Sequence, residues 1–216
     1  MVPTGAGAFV TLEGPDGAGK SIQAAMLAER MRAAGRDVVL TREPGGTELG
    51  ERIRLILMES SPGGHDALSD AFLFNAARSR LVGEVIRPAL ERGSLVICDR
   101  FADSTLAYQG YGGQQPIAVL RSLCEAATGG LTPDRTVLVD VPIEVGLTRR
   151  QGGATKELTR FELEDAHGAE FHQRVRHGYL ELAEAEADRW RVVDGRGAPE
   201  EVARRIWEVV ADLFAV

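Results

Sequence analysis

The run Gly14-Pro15-Asp16-Gly17-Ala18-Gly19-Lys20-Ser21 has the spacing G-x-x-x-x-G-K-[ST] and directly follows the apolar stretch Phe9-Val10-Thr11-Leu12. Glycine reaches positive φ without steric cost, so consecutive backbone N–H groups of such a loop can turn inward around phosphate oxygens. Lys20 adds a positive charge near the β- and γ-phosphates, and Ser21 offers a hydroxyl to Mg²⁺. The Ala-, Leu- and Met-rich stretch from Ile22 to Ala34 reads as a helix whose N-terminal end favours the same anions. A glycine-rich turn that matches by chance explains less, because a strand precedes it and a helix follows. Gly14, Pro15, Asp16, Gly17, Ala18, Gly19, Lys20 and Ser21 are therefore the candidates for holding a nucleoside triphosphate.

Further polar groups stand where such a ligand would need them. The strand Leu95-Val96-Ile97-Cys98 closes on Asp99, an acid that either holds Mg²⁺, directly or through water, or caps the following turn. Arg100 beside it favours the first use, because a strand-end guanidinium aimed at the loop is costly to place without an anion and its fork fits phosphate oxygens. Arg54 and Arg78 imply a second phosphate site. Phe74 and Arg78 stand four residues apart, on one helix face, where a ring can stack a base and a guanidinium can hold its phosphate. The commoner outcome for such a pair is a core ring with a surface arginine, and the two residues alone leave both open. Ser104, Thr105, Tyr108 and Gln109 can present hydroxyl and amide groups to a base and sugar, with Asp103 or Ser104 as the helix N-cap. The histidines His65, His167, His172 and His177 form no metal-ligand pattern.

These residues need elements to hold them. Short β-branched runs at Phe9–Glu13, Asp37–Thr41, Ser94–Asp99, Arg135–Asp140 and Arg191–Val193 alternate with helical patterns, which predicts an α/β fold with a parallel five-stranded sheet flanked by helices. Helices are expected at Glu48–Glu59, Asp66–Glu91, Pro116–Ala127, Ile143–Arg150, Arg160–Ala187 and Pro199–Phe214, with a break in the second of these at Gly83. The phosphate loop, Arg42-Glu43-Pro44, Asp99-Arg100 and Asp140 all fall at carboxyl ends of strands, where ligands bind in open parallel sheets. Gln151-Gly152-Gly153-Ala154-Thr155, flanked by Arg149, Arg150, Lys156 and Arg160, reads as a short basic lid over about 149–160.

The 216 residues suffice for one α/β domain, and no linker or repeat divides 1–216. With 32 Asp+Glu against 25 Lys+Arg the chain lacks the electrostatic footprint of a nucleic-acid binder. Its two cysteines, Cys98 and Cys124, read as small buried thiols. No stretch has the length or flanks of a membrane span or signal peptide, which predicts a cytoplasmic protein.

Together these residues resemble the thymidylate kinases of the nucleoside monophosphate kinase superfamily, from Phe9 to about Trp207. The resemblance rests on Glu13 to Ser21, Thr41-Arg42-Glu43-Pro44-Gly45-Gly46-Thr47, Phe74-Asn75-Ala76-Ala77-Arg78, and Asp99-Arg100-Phe101 running into Ser104-Thr105-Leu106-Ala107-Tyr108-Gln109-Gly110. Adenylate-type kinases and switch GTPases do not share the last two stretches. The resemblance implies phosphorylation of dTMP to dTDP with ATP and Mg²⁺, and a homodimer. It implies that Phe74 stacks on thymine and that Arg78 meets the monophosphate or base edge. Thr105 and Gln109 would contact the base and sugar, Tyr108 would crowd the sugar 2′ position, and Asp16 would meet the 3′-hydroxyl. Arg42, Arg54 and Arg100 would serve the acceptor and its phosphate, and Ser21 and Asp99 the metal. Some relatives carry an arginine inside the phosphate loop. Here Pro15, Asp16, Gly17 and Ala18 fill those positions, so besides Lys20 and Arg100 the catalytic cations would come from Arg149, Arg150 and Arg160 of the basic segment, Arg150 and Arg160 foremost, with Thr159 where an acid is usual. Two rivals stay open: another deoxynucleotide or nucleoside kinase, and a P-loop switch that binds ATP and a partner protein without phosphorylating a metabolite.

Overall fold

Each β-branched run becomes a strand. The computed structural model describes residues 7–59, 66–151 and 168–214, with only the backbone of Arg150 and Gln151. In it β1 (Ala8–Glu13), β2 (Val38–Arg42), β3 (Leu95–Asp99), β4 (Arg135–Asp140) and β5 (Trp190–Asp194) pair in parallel in the order β2-β3-β1-β4-β5. Burial follows position in the sheet. The inner strands β1, β3 and β4 are buried along nearly their whole length, whereas the edge strands β2 and β5 mix buried with open positions. Helices on both faces require apolar side chains on both sides of an inner strand, which is why those strands read as continuous apolar runs.

The two faces separate by the strand period of two. Val10, Leu12, Leu95, Ile97, Val137 and Val139 pack under α1 (Lys20–Ala33) and α9 (Pro199–Val210), against Ala24, Leu27, Ala28, Val202 and Ile206. Phe9, Val96 and Cys98 point the other way, onto Leu81, Val82, Ile86, Ala89 and Phe101, and Leu138 joins Leu106, Leu120, Val175 and Tyr179. In register, Asp99 lies beside both Leu12 and Arg42, and Glu13 beside Leu138. Glu13, Arg42, Asp99 and Asp140 thus finish along one edge of the sheet, the edge from which the phosphate loop springs.

The remaining helices are α2 (Glu48–Met58), α3 (Ala67–Leu81), α4 (Arg87–Glu91), α5 (Ala102–Thr105), α6 (Ile117–Thr128), α7 (Ile143–Gln151) and α8 (Gly168–Ala185). Thr47 caps α2 by accepting the Gly50 N–H at 3.0 Å, and Asp66 caps α3 by accepting from Leu68 and Ser69, each at 2.9 Å. The break expected at Gly83 does not occur. The helix instead widens into a π turn over Val82–Ile86 and continues as α4. Pro88 supplies the reason: its ring would clash with the carbonyl four residues back and it has no N–H to donate, and the wider turn moves that carbonyl away. The helix that α5 opens likewise runs on through a π turn at Leu106–Gly112. Neither Asp103 nor Ser104 caps α5; the N-cap is Phe101, and both side chains are taken up by tertiary partners. The first part of the expected helix Arg160–Ala187 lies outside the described residues. Cys98 and Cys124 are buried free thiols.

Candidate active site

In the phosphate loop Gly14, Gly17 and Gly19 have φ of 141°, 74° and 93°. A side chain at Gly17 would run into the Gly146 carbonyl, and one at Gly146 into the Asp16 carbonyl, so loop and α7 meet backbone to backbone. Lys20 is buried, and its Nζ donates to the carbonyls of Gly14 at 3.0 Å and Pro15 at 2.8 Å. Burial, then the Arg100 charge, lowers its pKa to about 8, with Asp16, Asp99 and Glu13 opposing. The Ser21 hydroxyl donates to Asp99 Oδ2, while Asp99 Oδ1 is buried without a partner among the described residues. An orphaned carboxylate oxygen beside a loop hydroxyl is a donor set that suits Mg²⁺, which takes few protein oxygens and completes its shell with phosphates and water. Among the described residues no group of three His, Cys, Asp or Glu side chains could hold a metal by itself.

Arg100 ties the loop to the end of β3. Its N–H still pairs with Leu12 O at 3.0 Å, but its φ of 70° is left-handed, rare for a residue with a side chain, and turns the guanidinium toward the loop. Nη2 pairs with Asp16 Oδ1 at 2.5 Å and donates to Tyr108 Oη at 3.0 Å. Nη1 reaches Gly14 O at 3.3 Å, Ser104 Oγ at 3.2 Å and Tyr179 Oη at 3.1 Å. One guanidinium therefore touches the loop, the segment after β3 and α8.

On the other side stand Arg42, Arg54, Phe74, Arg78, Thr105, Tyr108 and Gln109. Arg42 is half-exposed and paired with Glu51, which also accepts the Gly46 N–H at 2.9 Å. Arg54 donates to Pro44 O at 3.1 Å, and among the described residues no carboxylate pairs with it. Arg78 reverses the commoner outcome for its pair with Phe74: the ring is partly exposed, while the guanidinium is 1% exposed. It pairs with Glu43 at 2.7 Å and also donates to Asn75 Oδ1, Phe101 O and Thr105 Oγ1. Tyr108 lies under Arg100, 4.8 Å from ring centre to guanidinium carbon, and Gln109 is buried next to it.

Several residues that organise this site have no role in it by sequence alone: Glu13 and Glu43 stand only within the family-like stretches, and Asp103 reads as an N-cap. Glu13, fully buried, accepts the Phe101 N–H at 2.7 Å, Ser104 Oγ at 2.6 Å and Tyr179 Oη at 2.9 Å. Glu43 is the counter-ion of Arg78, and Asp103 takes both prongs of Arg189 at 2.8 Å. Of the basic segment, Arg149 donates to Gly195 O and Gly197 O. The side chain of Arg150, all of Arg160, and His65 and His167 lie outside the described residues. His177 is exposed beside Glu181.

The thymidylate kinase family matches the sequence over residues 12–206. The chain belongs to the thymidylate kinase family. It is 49% identical over 209 residues to a thymidylate kinase of Thermomicrobium roseum, spanning 95% of each chain. With a thymidylate kinase of Desulfovibrio desulfuricans it shares 50% over 199 residues, 90% of each. The crystal structure of thymidylate kinase from Ehrlichia chaffeensis superposes with a TM-score of 0.76 at 33% identity, covering 95% of this chain and 99% of that one. Family membership and the shared fold make this protein an enzyme of the P-loop kinase type, as the resemblance implied. Neither another nucleotide kinase nor a non-catalytic switch finds support in thymidylate kinase relatives of full length. Among the described residues no helix is long and apolar enough to cross a membrane.

Proposed function

We propose that this protein, a single domain working in the cytoplasm, transfers the γ-phosphoryl group of ATP to dTMP, giving dTDP and ADP. The bond from the γ-phosphorus to the β–γ bridging oxygen breaks as one to a dTMP phosphate oxygen forms. The attacking oxygen is already anionic, so no strong base is needed and the work falls to in-line positioning and charge neutralisation. The observation that carries this reading is Arg100, which reaches from the acceptor-side segment onto Asp16 of the phosphate loop at 2.5 Å. Lys20, now folded on its own loop's carbonyls, would exchange them for donor phosphate oxygens. Ser21 and Asp99 would hold Mg²⁺, which when bound neutralises charge across the β- and γ-phosphates. Arg54, half-buried and with no carboxylate paired to it among the described residues, and Arg42 suit the acceptor phosphate; Phe74, Thr105, Tyr108 and Gln109 suit base and sugar. Arg78 belongs to the same wall, through Thr105 and Phe101. Arg150 and Arg160 are the cations proposed for the transition state.

We assign the homodimer contact to α3, whose Phe72 is an exposed apolar side chain and against which α2, with exposed Leu55, and α6, with exposed Val119, both pack. ADP release from ATP–Mg²⁺, with dTMP, dUMP, dCMP, CMP and AMP as parallel acceptors, tests the reaction. Stimulation by dTMP above all others is the expected result, and turnover indifferent to acceptor would refute it.

A further inference from the structure

The hydroxyl of Tyr179 lies where polar groups from three parts of the site meet. It donates to Glu13 Oε2 at 2.9 Å, stands 2.8 Å from Ser104 Oγ and accepts from Arg100 Nη1 at 3.1 Å. Ser104 Oγ repeats the pattern, donating to the same Glu13 oxygen at 2.6 Å and accepting from Arg100 Nη1 at 3.2 Å. Each hydroxyl has a single proton. With Glu13 as a carboxylate, either both protons go to it, or one hydroxyl donates to the other and that one to Glu13. In each case the donor chain ends on Glu13, and free lone pairs are left for the guanidinium. A protonated Glu13 can itself donate to a hydroxyl and so competes with Arg100 for those lone pairs.

The position of Tyr179 is fixed on every side. Its ring is buried between Tyr108, at 6.2 Å between centroids, and Trp190, at 6.5 Å. One turn earlier on α8, Arg176 makes a two-pronged pair with Asp140 at the end of β4, both contacts at 2.7 Å. Arg100, by contrast, has a left-handed backbone and a long side chain, and needs outside support to hold one orientation. We propose that Tyr179 is a positioning residue for Arg100: oriented by Glu13, its hydroxyl fixes the guanidinium against the phosphate loop. This rests on the phosphoryl-transfer reading of the site. Among the described residues the Tyr179 hydroxyl bonds only Glu13, Ser104 and Arg100, and of these Arg100 is the one that reaches the phosphate loop; the ring contact with Tyr108 survives in the phenylalanine variant.

Glu13 is faced by Asp103 of α5, Arg100, Lys20 of α1, Arg78 of α3 and Tyr179 of α8. Burial, then Asp103, pushes it up to about 7, with Arg100 opposing. Burial, then Glu13, pushes the Tyr179 phenol well up, so it keeps its proton and remains a donor. A hydrogen bond to a carboxylate favours the charged form, so removing one raises the pKa.

The test is Tyr179→Phe, which keeps the ring and its packing. The variant is expected to lose about tenfold in kcat with KM for ATP and dTMP changed less than about twofold. The acidic limb of its pH–rate profile should move to higher pH; the substrates' own titrations are common to both enzymes and cancel in the comparison. In an Arg100→Lys background, the same substitution should lose most of its effect on kcat. A wild-type kcat and limb, or an undiminished loss in that background, overturns the proposal. Wild-type protein that shows no dTMP-dependent turnover would instead refute the kinase reading on which it stands.

Discussion

Among the described residues the Arg78–Glu43 ion pair is buried most deeply, with side chains 1% and 4% exposed. Removing one member of such a pair strands the other in a medium that cannot solvate it, which costs about 3–5 kcal/mol. Glu43→Gln keeps volume and leaves the guanidinium its bonds to Asn75, Phe101 and Thr105, so a loss of about 3 kcal/mol is expected. Arg78→Ala also empties space and orphans Glu43, and should approach about 5 kcal/mol. Burial already pushes the Glu43 carboxyl above its ordinary value, with Arg78 opposing. Without Arg78 that rise is unopposed. A carboxyl whose folded pKa lies above its unfolded one favours the fold while protonated, and the advantage fades as pH rises toward the folded pKa. The Arg78→Ala deficit should therefore be smaller at pH 5 than at pH 8. Urea unfolding at both pH values, with equal m-values as the control, measures it. A deficit below about 1 kcal/mol at pH 8, or one independent of pH, would refute the reasoning, because water would then be reaching the pair. Replacing both residues, Glu43→Leu with Arg78→Met, should recover most of the loss.

In its proposed role Lys20 holds phosphate only when protonated, and burial lowers its pKa to about 8. kcat/KM for ATP should accordingly fall above that pH, and Lys20→Arg should lose this limb while turning over more slowly; a wild-type profile flat to high pH would contradict it. Gly17→Ala puts a Cβ onto the Gly146 carbonyl at a left-handed φ, so ATP binding followed by titration should weaken more than about tenfold. Gly83→Ala points its methyl into open space and should raise stability in urea by about 0.5–1 kcal/mol.

The sheet was legible because its inner strands must be apolar on both faces and because polar residues cluster where those strands end. Arg100 was legible for the same reason, standing next to a strand-end acid. The wiring between elements was not. Phe74 and Arg78 share a helix face by their spacing, but spacing does not say which of them faces inward; that depends on Glu43, 35 residues away. Tyr179 and Glu13 are 166 residues apart, and nothing local marks the tyrosine. Asp103 has the chemistry of an N-cap, yet Arg189 claims it. An aspartate serves short-range and long-range partners equally well, and only the fold decides between them. At Gly83 the helix widens rather than breaks, and the ring of Pro88 is the cause, since a glycine permits a change of turn and a proline enforces one.

The meeting of Gly17 with Gly146 gives the phosphate loop a neighbour made of main chain alone. Side chains absorb small displacements by changing rotamer, whereas peptide groups in contact pass them on. One turn further along α7, Arg149 fastens to the carbonyls of Gly195 and Gly197 beyond β5. The turn after β1, the helix after β4 and the turn after β5 are thereby braced sideways against one another. The phosphate-loop end of the sheet is a stiff arch spanning neighbouring strand ends. The side where Arg42 and Arg54 reach in on long side chains, proposed above for the smaller nucleotide, is the more compliant half.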